Sequence, residues 1–476
     1  MASSILHYLV LFATSIAVSA AASSTQHVGC VHLQVVHSTN QQLFSKRVVE
    51  LQLANRSDVA YYARLDIGTP PQPVFVQLDT GSFELWVNPT CTNLALTDQH
   101  FCQQVGFYGT AQSSSVELLG TSKTLRYGIG SANITYVRDD ITLSGLDAPL
   151  DSVQFGVATS TEDQFAGIMG IGYGLGITTR YRNFVDELAA QNVTTVKAFS
   201  LALGGKDEQE GVIVFGGVDT SKFAGGLAKL PIVPASQSPD GVPRYWVTMS
   251  NMSLSPPSGN SKTYGNSSMD VFLDSGATLT LLPQALADSI AADFGVTSVD
   301  SSGFYPVDCS IMDIAGTLDF TFAGVTIKVP YSELIRKSNS LPPSCVLGIV
   351  PSADFTLLGD TFLRSAYAVF DQDNNSVYMQ QYTNCGSTPA AIANSSVLDT
   401  IVGVCVSQEV TDSAGGGSSA TASGASASAA SATTTAPGSP ANTDPKSTST
   451  AALRMPLCMG SVLVAVVVAW LIPTVI

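Results

Sequence analysis

The sequence predicts an all-β protein of two similar lobes, related by a pseudo-two-fold axis, with a cleft between them. Three observations carry this. Residues 48–384 read as short apolar strands broken by turn residues about every 8–12 positions, the pattern of sandwiches and barrels. An apolar strand followed by an acidic tight loop occurs twice, as Val76-Gln77-Leu78-Asp79-Thr80-Gly81-Ser82 and Val271-Phe272-Leu273-Asp274-Ser275-Gly276-Ala277, with the two Asp 195 positions apart. Each is followed by a hydrophobic-hydrophobic-Gly triplet: Ile168-Met169-Gly170 starts 89 positions after Asp79, and Leu357-Leu358-Gly359 starts 83 after Asp274. Two halves that each offer one carboxylate on a loop after an apolar strand predict an active-site cleft between the lobes.

The remaining elements follow in chain order. An apolar run over residues 5–22 ends in small residues, the shape of a signal peptide spanning 1–22. Ser45-Lys46-Arg47-Val48 is a dibasic processing target, which makes 23–47 a prosegment. The lobes are expected over 48–208 and 209–385, followed by a segment at 386–411. Within the first lobe, residues 61–67 and 74–78 read as strands around Gly68-Thr69-Pro70-Pro71, and 184–190 as a short helix. Residues 412–450 are almost all Ser, Thr, Ala, Gly and Pro. They cannot bury enough apolar surface to fold, so an extended stalk is expected. The uncharged apolar tail within 451–476 has no basic flank after it, the pattern of a GPI-attachment signal rather than a spanning helix. Asn442, ahead of Ser447 and Gly438, is the candidate attachment residue, with a polar spacer of 12 residues behind it.

Composition narrows the chemistry. The chain has 476 residues, with Lys+Arg 21 against Asp+Glu 37 and a net charge of −16. So acidic a surface repels phosphate, and nucleic acid is not expected as a partner. Of five His, only His100 lies in the body. That argues against a His-ligated metal and leaves a Ser-His-Asp triad a single candidate base. No metal or cofactor is expected, and acid–base work falls to carboxylates. Export is consistent with the cysteines and the glycosylation sequons. With Cys30 in the early segment and Cys458 in the tail, six Cys remain. Cys91 with Cys102, Cys309 with Cys345 and Cys385 with Cys405 are the natural pairs, although spacing alone does not fix connectivity. Sequons stand at Asn55, Asn133, Asn192, Asn251, Asn266, Asn374 and Asn394.

Together the residues 78–87, Tyr127-Gly128-Ile129-Gly130-Ser131, 165–172, 274–278 and 357–362 resemble the pepsin-like aspartic proteases, specifically the fungal GPI-anchored, yapsin-like ones. The resemblance covers about 48–385 and implies the bilobal pepsin-like acid protease fold. Peptide hydrolysis by water needs a base and an acid, and two adjacent carboxylates that cannot both ionise supply both by sharing a proton. The resemblance makes Asp79 and Asp274 that catalytic dyad. It gives Gly81 and Gly276 the tight turns, Thr80 and Ser275 the bracing of the cleft floor, and Ser82 a hydrogen bond to Asp79. Tyr127 and Gly128 would belong to a flap over the substrate, with Tyr127 bonded to Trp86. Phe165, Ile168 and Thr278 would face the substrate. Two positions depart from the family. Ala166 stands where Asp is frequent. Ala277 lacks the hydroxyl usual there, so Asp274 loses a donor to its ionised form.

The function expected is a secreted, monomeric aspartic endopeptidase, held at the outer face of the cell membrane or in the wall by its GPI anchor and acting on peptide or protein substrates. Yapsin-like relatives prefer basic residues at the cut, and Glu162 and Asp163 could supply an acidic subsite. His27, His32 and His37 would gain charge as pH falls through about 6.5. If docked neutral, they would release the prosegment on acidification. The rival readings are a catalytically silent peptide-binding homologue and a structural wall mannoprotein.

Overall fold

A computed structural model describes residues 29–37, 60–92, 96–144, 146, 148–164, 166–208, 210–338, 342–354 and 356–406. The signal peptide, stalk, tail, Asn55, Asn442 and Phe165 lie outside them. The expected strands form from period-two patterning, which sends alternate side chains to the core. Tyr61–Ile67 and Gln72–Asp79 pair antiparallel across Gly68-Thr69-Pro70-Pro71, and Val74, Val76 and Leu78 are buried in the main core.

The two halves repeat one connection. In the first, Gln72–Asp79 runs parallel to Gly167–Gly170, with Asp79 opposite Gly170, and Leu85–Val87 pairs on the far side of the same triplet strand. In the second, Met269–Leu273 runs parallel to Leu357–Leu358, and Thr280–Pro283 pairs on its far side. Each triplet is thus threaded between the two limbs of its own acid loop. Its apolar residues are buried, and its glycine passes against backbone. A Cβ at Gly170 would meet Phe83 N and Glu84 N, and one at Gly359 would meet the carbonyls of Ala277 and Leu279.

A sheet shared by both lobes lies beneath the acid loops. It runs through Ser376–Gln381, Ala366–Asp371, Ala198–Ala202, Glu210–Phe215, Val31–His37 and Tyr61–Ile67. The strand Val31–His37 falls inside the segment expected to be a prosegment. It inserts between Glu210–Phe215 and Tyr61–Ile67, and Val31, Leu33 and Val35 join the main core. The chain also stays folded beyond 385. Pro389–Ala391 pairs with Gly217–Asp219, and Val402–Val404 pairs with Ala224–Gly226.

The helix Phe184–Ala190 forms as expected, capped reciprocally by Asn183 and Asp186. Helices Leu96–Val105 and Gln284–Asp293 interrupt stretches read as strand. The disulfides Cys91–Cys102, Cys309–Cys345 and Cys385–Cys405 are all present. The third ties the end of the second lobe to the trailing segment. Asn133, Asn192, Asn266, Asn374 and Asn394 are exposed, whereas Asn251 is half-buried and accepts a hydrogen bond from Ser267.

Asp360 opens the short helix Asp360–Leu363 behind the second acid loop, where its N–H donates to Ala277 O at 2.8 Å. Its side chain is buried and Oδ1 has no hydrogen-bond partner among the described residues. Burial pushes its carboxyl well above the ordinary range; Arg364 opposes this, while the charges of Asp274 and Asp79 add to it. A carboxyl raised in the folded state contributes stability below its unfolded pKa, near 4, and that contribution is lost as pH rises through the folded value. Asp360→Asn cannot ionise. We expect the thermal midpoint of the wild type to fall between pH 4 and pH 7, and that of Asp360→Asn to fall less. Parallel curves would count against this account.

Candidate active site

The acid loops meet at the pseudo-two-fold axis. Thr80 N donates to Ser275 Oγ at 3.1 Å, and Ser275 N donates to Thr80 Oγ1 at 2.9 Å. Each hydroxyl then donates across the interface, Thr80 Oγ1 to Leu273 O at 2.8 Å and Ser275 Oγ to Leu78 O at 2.9 Å. Four reciprocal bonds between buried groups fix one loop on the other. Gly81 and Gly276 are required by the closeness this creates. A Cβ at Gly81 would overlap the carboxylate of Asp274, and one at Gly276 that of Asp79. Their N–H groups instead turn back to the acid of their own loop, Gly81 to Asp79 Oδ1 at 2.8 Å and Gly276 to Asp274 Oδ1 at 2.9 Å.

The two carboxyl groups are hydrogen-bonded to each other, and both titrate above the ordinary range. For Asp79 the main cause is burial, opposed by the Ser82 hydroxyl, the Gly81 N–H, Asp274 and Arg244. For Asp274 burial is again largest, and the charge of Asp79 adds to it. The donors to the two acids differ: Ser82 Oγ donates to Asp79 Oδ2 at 2.5 Å, while Ala277, in the matching place, has no hydroxyl to give. A pair raised in this way holds one proton over a range in which isolated carboxyls would be ionised, and the Ser82 hydroxyl stabilises the ionised form of Asp79.

Above this floor, the strands Glu117–Arg126 and Ser131–Thr142 form a hairpin whose turn carries Tyr127, Gly128 and the exposed Ile129. Trp86 Nε1 donates to Tyr127 OH at 2.7 Å. Burial, with the nearby Asp79 charge, pushes the Tyr127 hydroxyl up, so it stays neutral. Ile168 is buried with Trp86, Leu125, Ile134 and Tyr136 in a cluster against which Tyr127 packs, and so supports the hairpin. Thr278 is half-buried, and its carbonyl accepts from Thr361 N at 3.1 Å.

Two residues at the site had no role in the sequence reading. Glu84 is buried and accepts from Lys123 Nζ at 2.5 Å, Tyr136 OH at 3.0 Å and Tyr181 OH. Lys123 lies on the hairpin, so Glu84 ties it to the first acid loop. The signal was an acid beside Trp86 in an apolar stretch. Arg244 reaches across from the second half and donates to Gly81 O. A lone Arg before Tyr245 and Trp246 gave little signal.

A floor of two matched acid loops under a hairpin is the architecture of an aspartic-type endopeptidase. The comparisons with known proteins agree. The family model for eukaryotic aspartyl protease matches residues 60–382. The chain is 34% identical over 394 residues to a probable aspartic-type endopeptidase of Aspergillus oryzae, covering 79% of each chain. It is 33% identical over 361 residues to secreted aspartic protease 3 of Candida albicans, covering 72% of this chain and 85% of that one. It is 30% identical over 365 residues to barrierpepsin of Saccharomyces cerevisiae, covering 70% and 62%. The chain belongs to the eukaryotic aspartyl protease family, and it is a hydrolase of the aspartic endopeptidase type that acts on peptide or protein substrates.

Ala277→Thr should supply the missing donor to Asp274. A hydrogen bond to a charged group contributes about 1.5–3 kcal/mol, and 1.36 kcal/mol corresponds to one pKa unit. The acidic limb of the pH–rate profile should move down by about one unit. An unmoved limb would show that the hydroxyl asymmetry does not set the titration.

Proposed function

We propose that the protein is a secreted, GPI-tethered aspartic endopeptidase in which Asp79 and Asp274 activate water between them. The observation that carries this is the reciprocal Thr80–Ser275 bonding, which sets the two carboxyls in mutual hydrogen-bond contact. Asp79, stabilised as the anion by Ser82 and Gly81, takes a proton from the water. The water oxygen bonds to the peptide carbonyl carbon, and the proton of Asp274 passes to the carbonyl oxygen, leaving a neutral diol. Asp79 then gives its proton to the peptide nitrogen while Asp274 takes one from a diol hydroxyl. The C–N bond breaks to leave a carboxylic acid and an amine, and the pair ends as it began, with Asp79 ionised and Asp274 protonated. The Tyr127 hairpin excludes water and holds the peptide during these steps.

The wider layout supports this reading. A signal peptide at 1–22, a prosegment at 23–47 ending at Lys46-Arg47, lobes over 48–208 and 209–385, the following segment at 386–411, a stalk at 412–450 and an anchor signal at 451–476 would deliver a monomeric enzyme to the cell surface. Asn442 is the proposed attachment residue, and the exposed sequon asparagines are proposed glycan sites. A preference for basic residues at the cut is supported by Glu162 and Asp163. Both are exposed, and they abut Gly130 at the hairpin turn.

Hydrolysis of a quenched peptide should be blocked by pepstatin. Asp79→Asn should lower kcat by roughly 10²–10⁴-fold or more, the usual contribution of acid–base catalysis. Activity within tenfold of wild type in that variant would contradict the assignment.

The docked strand Val31–His37 supports acid-triggered release. His32 on it is half-buried; burial lowers its pKa, the charge of Asp219 opposes this and Lys222 adds to it. His27 and the side chain of His37 lie outside the described residues. A histidine lowered in the docked state takes up its proton more readily once released. Docking is therefore intact above about pH 6.5 and weakens as pH falls below it. Activation of the proenzyme should accelerate between pH 7 and pH 5, and His32→Gln should flatten that dependence. An equally steep dependence in the variant would exclude His32 as the sensor.

A further inference from the structure

The cleft floor contains a cation that the hydrolytic steps do not require. Arg244 precedes the strand Trp246–Ser255 of the second half. Its Nε donates to Asp240 Oδ2 at 2.8 Å, and one Nη donates to Gly81 O in the first acid loop. Asp240 is held in turn by Val242 N at 3.0 Å and Trp246 Nε1 at 3.1 Å. The guanidinium lies 5.3 Å from the ring centroid of Phe83 and 5.5 Å from that of Phe272.

This is more construction than a surface ion pair needs, since such pairs contribute little. Two aromatic faces, a locked carboxylate and a backbone carbonyl hold one guanidinium in one place. The side chain nevertheless keeps 25% of its surface exposed. Two of its five N–H donors are used on protein acceptors among the described residues. Its charge reaches the reaction centre, favouring the ionised form of both Asp79 and Asp274.

We propose that Arg244 is a specificity-determining residue, a fixed cation at the cleft floor that accepts an Asp or Glu side chain of the substrate and disfavours Lys or Arg there. The inference rests on the endopeptidase reading and deepens it. Glu162 and Asp163 stand at the hairpin turn, so the cleft presents opposite charges at two places. The preferred peptide then carries an acidic side chain at the subsite of Arg244. Only the ionised form of that side chain feels the cation. Free Asp and Glu titrate near 3.9 and 4.3, whereas Arg stays charged throughout. The selection is therefore pH-dependent in a known direction, weak at pH 3 and full by about pH 5.5.

The test is a quenched-peptide library in which each position on either side of the cut is scanned with Gln, Glu and Lys, using the full-length processed enzyme. At pH 5.5 one subsite of the wild type should favour Glu over Gln by roughly tenfold in kcat/KM, as for a charge-assisted hydrogen bond. The ratio should approach one at pH 3. Arg244→Met should abolish it at pH 5.5. If that variant cleaves nothing, Arg244→Lys decides: a reduced ratio supports the proposal and an unchanged one overturns it. A wild type with no Glu-favouring subsite, or a Met variant that keeps one, also overturns it. A wild type that cleaves no peptide removes the endopeptidase reading instead.

Discussion

Everything at the centre of this protein answers to one constraint: two carboxyl groups are held in contact, Asp79 buried and Asp274 half-buried. Neither could stay there as an isolated anion, because desolvation penalises the charge and each charge repels the other. A shared proton relieves both problems. The surroundings are built to keep that sharing fixed. The Thr80 and Ser275 hydroxyls and N–H groups set the separation of the loops, and the Gly81 and Gly276 N–H groups orient each acid. Because the loops come from different halves, the sheet that joins those halves is part of the same apparatus.

The duplication is structural, but its chemistry is uneven. Ser82 donates to Asp79, and Ala277 leaves Asp274 without a counterpart. The hairpin with Tyr127 belongs to the first half, anchored there through Lys123 and Glu84. Arg244 comes from the second half and bonds to the first. A symmetric scaffold supplies two equivalent carboxyls, and asymmetric neighbours give them different surroundings. Asp360 extends the electrostatic problem below the floor, since its buried carboxyl feels the charges of both loop acids.

Much of this was legible in the sequence. The repeated Asp-Thr-Gly and Asp-Ser-Gly, with their triplets in register, encode the paired loops directly, because strand, turn and threaded glycine all lie in short local segments. The helix at Phe184–Ala190 was readable from its own short segment, and the structure adds its cap by Asn183 and Asp186. Long-range neighbours were harder. The strand Val31–His37 has no local mark of joining the interlobe sheet; its partners Glu210–Phe215 and Tyr61–Ile67 create its place. The fold of residues 386–406 depends in the same way on pairing with 217–226. Glu84 and Arg244 gained meaning only when Lys123, Tyr181 and Gly81 arrived from distant parts of the chain.

The central claim is that the two acids hold one proton between them at working pH. Isotope-edited infrared spectroscopy of the aspartate carboxyls, comparing wild type with Asp274→Asn at pH 5, addresses it directly. The account predicts that the substitution removes the band of one protonated carboxyl while a carboxylate band from Asp79 persists. Two ionised carboxylates in the wild type at that pH would contradict it.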